Sequence, residues 1–277
     1  MQWTPGGPSN DLEDRRGSSG GGFGFGGMHI GIGGAIVLLL LSVVFHRNFF
    51  ALLGNSGAPV QTSQRPVRET PEEHREVQFV SFVLDDAQAT WERVLPRYHH
   101  AKLVLFRDSI DSACGFAQSA SGPFYCPEDE KVYIDLGFYD ELRQRFGAPG
   151  EFAQAYVIAH EIGHHVQKIL GTEQQAHSLM ERDPDRAKQV SVRLELQADC
   201  YAGIWGHSTQ QRGIIDNADI EQGLNAAASI GDDRLQRMAG KSVNPESFTH
   251  GSSAQRVEWF RRGLQSGRID DCDTFER

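Results

Sequence analysis

Apolar residues follow three patterns along the chain. The first is one continuous run from Met28 to Phe45, MHIGIGGAIVLLLLSVVF, with no fixed charge. Its length is about the minimum that crosses a bilayer core, roughly 17 to 20 residues. The long stretch before it and the lack of a nearby small-residue cleavage site argue against a cleaved signal peptide. The expectation is one uncleaved transmembrane anchor over 28–47, touching the lipid bilayer.

The second pattern is short and strand-like: KLVLF at Lys102–Phe106 and KVYID at Lys131–Asp135. The third has helical spacing. It predicts helices over 85–95, 138–146, 151–170, 187–207, 216–229 and 252–265. These elements imply an α+β architecture with a small early sheet and a mainly helical body.

Between the patterned segments the chain is polar. Residues 1–27 hold nine glycines with few aliphatic side chains, so they read as a disordered tail. Residues 48–76 read as a linker with prolines at 59, 66 and 71. Globular sequence is expected over 77–277. Composition sharpens this reading: 277 residues, net charge −10 and 39% hydrophobic residues describe a chain able to form a core. The acidic balance argues against a nucleic-acid partner. Oligomeric state is left open.

The four cysteines are Cys114, Cys126, Cys200 and Cys272. The turn-rich CGFAQSASGPFYC favours a 114–126 disulfide, with 200–272 a weaker pair; a Cys-x-x-Cys zinc site is ruled out. An even count beside an anchor favours an oxidising location, hence a single-pass membrane protein with its globular domain on the extracytoplasmic side.

The chemistry concentrates in His160-Glu161-Ile162-Gly163-His164. On a helix His160 and His164 lie one turn apart on one face and can grip one zinc ion. Glu161 sits beside the first ligand, placed as a general base for a water at that metal. Glu195-Leu196-Gln197-Ala198-Asp199 follows on a second helix. Two acids one turn apart repel unless a cation compensates. Glu195 is therefore the expected third ligand, and Asp199 the acceptor of a ligand histidine's outer N–H. The pattern with a third histidine fails, because Gln167 and Leu170 stand where glycine and histidine are required. His165 points about 100° away. Spacing leaves His177 and His207 open as ligands.

The pairing of HEIGHH with ELQAD resembles the gluzincin metallopeptidases. HEIGHHVQ, ELQADCYAGIW and THGSSAQRVEWF, with FYCPEDEKVYID and the apolar run, are similar to the bacterial putative neutral zinc metallopeptidase family. The likeness covers roughly residues 70–270. It implies a zincin-like domain with zinc at His160, His164 and Glu195, Glu161 as the catalytic group and a polypeptide substrate. In gluzincins a histidine or tyrosine often stabilises the oxyanion; His250, just before a helix start, is the first candidate and Tyr201 the second. Arg256 either pairs with Asp199 or Glu195 or is a surface cation. Phe124 to Asp135 is the candidate sheet edge for substrate.

The expected activity is thus a membrane-anchored zinc endopeptidase. The competing reading is a metal-stabilised binding or regulatory protein without turnover, against which the spare Glu161 argues. Hydrolysis of peptide crosslinks in a cell wall is a third reading that no residue selects.

Overall fold

The computed structural model describes residues 1–17, 67, 69–119 and 122–275. The chain runs β1 (Leu12–Asp14), α1 (Pro71–Val94), β2 (Lys102–Phe106), β3 (Ser109–Ser112), β4 (Gly115–Gln118), β5 (Phe124–Cys126) and β6 (Lys131–Asp135). Helices follow: α2 (Gly137–Gln144), α3 (Glu151–Leu170), α4 (Thr172–Arg182), α5 (Ala187–Gln211), α6 (Asn217–Ser229), α7 (Asp232–Met238) and α8 (Ser253–Ser266).

A four-stranded sheet has the order β1-β2-β6-β5, with β5 antiparallel to β6 and the other pairs parallel. Alternation splits its side chains between two faces. Leu103, Leu105, Val132 and Ile134 join the main core with α1 and α3, while Val104, Phe106 and Tyr133 meet Ile110 beside the β3–β4 hairpin. α1 supplies Val80, Val83, Leu84, Ala87 and Trp91 to that core. Its start is fixed by Thr70, which accepts from the Glu73 N–H while the Glu73 side chain accepts from the Thr70 N–H. The α5–α8 contact depends on two glycines: a Cβ at Gly263 would strike the Cys200 carbonyl, and one at Gly203 the Phe260 carbonyl. The expected α+β body with a small sheet and mostly helices is present.

Three expectations need correction. Residues 1–17 are no disordered tail. Leu12, Glu13 and Asp14 pair in register with Leu103, Val104 and Leu105. The Trp3 ring stands edge-on to Phe79 at 5.2 Å, and its indole N–H donates to Glu151 at 3.0 Å. A strand of acidic residues is stable there because β2 supplies its hydrogen bonds and Lys131 pairs with Glu13 at 2.7 Å. The linker reading also fails at its end, since α1 begins at Pro71.

The third correction concerns the membrane. The anchor expected over 28–47 lies outside the described residues, and among the described residues no helix is long and apolar enough to cross a membrane. The single-pass fold and the membrane localisation built on it therefore have no support in the described residues.

Candidate metal centre

α3 covers the span that helical spacing predicts, Glu151–Leu170. Gly150 opens it at φ 127° and Gly171 closes it at φ 78°, conformations that favour glycine. Its middle is buried against α5. A Cβ added to Gly163 would lie 2.9 Å from the Ala198 carbonyl oxygen and 3.1 Å from its Cα, so the two backbones touch there. This contact carries the Glu195–Asp199 turn of α5 to the histidine face of α3.

The result is convergence of the expected set. His160 Nε2 lies 3.2 Å from Glu195 Oε2, and His164 Nε2 3.5 Å from Glu195 Oε1. The two rings are 4.8 Å apart and nearly perpendicular. One ligand atom from each of the three residues lies within 4.8 Å of the others. Two imidazole nitrogens and one carboxylate oxygen are the donors of a catalytic zinc site, so the residues fit that ion.

Hydrogen bonds set the histidine tautomers. His160 Nδ1 donates to Asp199 Oδ1 at 2.9 Å. Gln167 Nε2 donates to the Leu194 carbonyl at 2.7 Å, which orients the amide so that its Oε1 accepts from His164 Nδ1 at 2.9 Å. With both Nδ1 atoms committed, it is the two Nε2 atoms that face Glu195 and that a metal ion would take. Asp199 is closed to solvent, and Arg256 donates to both its oxygens, from Nε at 2.8 Å and Nη2 at 2.9 Å. The Tyr156 hydroxyl donates to the same carboxylate.

The charges are mutually dependent. Burial would raise the Asp199 carboxyl, but Arg256 and His160 outweigh it and hold it below its usual range. Burial likewise opposes ionisation of Glu195, and His164 and His160 overcome it. Burial depresses His160, yet Asp199 and Glu195 raise it to about 10. Glu161 differs: burial pushes its carboxyl up against the pull of the two imidazoles.

Glu161, the three convergent residues and His250 line one cavity of about 620 Å³, together with Phe124 and Tyr125 of β5. His250 receives strong support from Asp232, whose Oδ2 accepts from its backbone N–H at 2.6 Å. The Asp232 side chain also raises the His250 imidazole above its ordinary value, against burial. A larger cavity of about 1060 Å³, lined by Val192, Phe248 and Trp259, holds none of these groups.

The other candidates do not join the ligand cluster. Tyr201 is buried in the core, edge-on to Trp91 at 5.4 Å, because it packs on the same α3–α5 seam that needs Gly163. His207 Nδ1 donates to the Leu264 carbonyl and its Nε2 accepts from Gln211, while His177 lines the cavity but pairs with Glu173 one turn away at 3.0 Å. Arg256 takes its Asp199 alternative and not the surface one. KVYID is an interior strand, β6; the edge strand beside it is β5. His99, Glu130 and His165 form a second group of metal-type side chains, but both ring nitrogens of His165 already have partners. Sequence reasoning missed Gln167 and Tyr156. Gln167 had a usable signal, its position three residues after His164 on one helix face.

Residues 1–275 match the family described as putative neutral zinc metallopeptidase. The chain is 45% identical to the uncharacterized protein YpfJ of Escherichia coli strain K12, over 99% of both chains. It is 42% identical to the uncharacterized protein Rv2575 of Mycobacterium tuberculosis strain H37Rv, over 69% of this chain and 68% of that one. No solved structure matches.

Proposed function

The chain belongs to the putative neutral zinc metallopeptidase family, and we propose that it is an endopeptidase in which Glu161 is the general base. Zinc is the family's metal, and the donors that would hold it are His160, His164 and Glu195. When bound there, the ion supplies Lewis acidity to an attacking water and to the scissile carbonyl.

The observation that carries this reading is Glu161. A buried carboxyl raised by burial, lining the same cavity as three convergent ligands, has no role in a closed structural site. Its carboxylate takes a proton from the attacking water, then delivers it to the leaving amine nitrogen. His250, oriented by Asp232, donates a hydrogen bond from its imidazole to the carbonyl oxygen as negative charge develops there. Asp199, Arg256, Gln167 and Tyr156 hold the ligand rings at fixed orientation. A polypeptide in extended form would lie along β5, the sheet edge on the cavity wall.

The test is zinc content and casein hydrolysis in Glu161→Gln and Glu195→Ala. The expected result is zinc without hydrolysis in the first, and loss of zinc in the second. Full hydrolysis by Glu161→Gln would overturn the mechanism. Zinc-loaded wild type that cleaves no polypeptide would favour the metal-stabilised binding protein instead.

A further inference from the structure

His165 directly follows the second ligand but plays no part in its site. One residue further along α3 it points roughly 100° away, and it is fully buried. Its Nε2 lies 2.8 Å from the His99 carbonyl oxygen. A carbonyl only accepts, so Nε2 carries the proton. In the neutral ring Nδ1 must then accept, and the Tyr125 hydroxyl, 2.9 Å away, donates to it. The imidazole is also wedged edge-on between Tyr98 at 5.6 Å and His99 at 5.1 Å.

Tyr125 is the central residue of β5. Its neighbour Phe124 stacks on Tyr133 at 4.8 Å, and Cys126 is bonded to Cys114. Tyr125 itself lines the cavity with Glu161 and Glu195. The Tyr125–His165 hydrogen bond thus joins the helix that bears the metal ligands to the strand that forms the cavity wall.

We propose that His165 is a positioning residue: through Tyr125 it sets the β5 edge relative to the metal ligands, and so sets how the substrate backbone is held. This rests on the peptidase reading.

The test uses the full chain, zinc-loaded, with casein as substrate. His165→Phe removes both hydrogen bonds and keeps an apolar ring. Tyr125→Phe removes only the one to β5 and leaves the core intact. Both variants are expected to raise KM about tenfold, the scale of one lost neutral hydrogen bond, with kcat within threefold and zinc at wild-type stoichiometry. The double variant should be no worse than either single one. His165→Gln, whose amide can donate to His99 and accept from Tyr125, should recover most of the loss. A turnover-free readout is the affinity of labelled casein for Glu161→Gln with and without Tyr125→Phe, expected to fall by the same factor. Unchanged KM and affinity in Tyr125→Phe, or additive effects in the double variant, would overturn the inference while leaving the peptidase reading intact. Wild type that neither cleaves nor binds casein would remove both.

Discussion

Arg256 holds both oxygens of Asp199, Nε on Oδ2 at 2.8 Å and Nη2 on Oδ1 at 2.9 Å, with both side chains closed to solvent. Asp199 in turn accepts from His160 Nδ1. α8 is thereby linked to the candidate metal ligands through one buried carboxylate. Replacing Arg256 with Met strands that charge, and breaking such a pair costs about 3–5 kcal/mol. Loss of a ligand-orienting partner costs about 10- to 100-fold in metal affinity. Arg256→Met should therefore lower both the Tm and the zinc affinity. Adding Asp199→Asn should recover stability but not affinity. Calorimetry and zinc titration separate the two effects.

Gly163 makes a sharper case, since it has no polar role. Alanine there would press its methyl on the Ala198 carbonyl at 2.9 Å, a distance that forces α3 and α5 apart. Gly163→Ala should reduce zinc affinity although every ligand is present. Wild-type affinity in that variant would show that the helices can give way.

The disulfides differ in what they close. Cys200–Cys272 spans 72 residues and Cys114–Cys126 only 12. By loop entropy the longer is worth about 4 kcal/mol and the shorter about 3. Cys200→Ala with Cys272→Ala should lower the Tm by roughly 10 °C, more than the matching change at 114 and 126. Thermal melts of the two double variants decide this.

His100 gives a pH signature away from the metal. Burial lowers its pKa, but Asp11 and Glu92 outweigh it and the folded value lies above the unfolded one. Its contribution is then fully present below the unfolded value, about 6.5, and is lost as pH rises through the folded one. The Tm gap between wild type and His100→Asn should be widest near about pH 5 to 6 and close in alkali. A gap that does not change with pH would refute the linkage.

The amino-terminal segment is tested by removal. A chain beginning at residue 69 loses β1 and the Trp3 contacts, leaving the β2 edge unpaired. Exposed edges recruit other strands. Such a chain should melt lower and associate, as size-exclusion chromatography would record. A stable monomer would show that β1 adds nothing.

Much of the helical body was legible locally. Glu151–Leu170, Lys102–Phe106 and Lys131–Asp135 have the bounds that their spacing predicts, because each buries a face whose period is written in its own residues. Elements without such a signal escaped. Glu13 and Asp14 form a strand through β2 and Lys131, not through their own propensity. Polar α4 has one buried residue, Ala176, and so little periodicity to read.

By itself the sequence determined which side chains make up the candidate metal centre. His160, His164 and Glu161 have their relation from the helix repeat, and Glu195 and Asp199 have theirs for the same reason. Only the tertiary structure decided how those two turns meet, which needed Gly163 to admit α5. It also brought Gln167, Tyr156 and Arg256 to the ligands, sent Tyr201 to the core, and put β1 beside β2 across some 85 residues of chain. Local periodicity carries no information about contacts between distant segments, because those depend on complementary surfaces that exist only once the chain has packed.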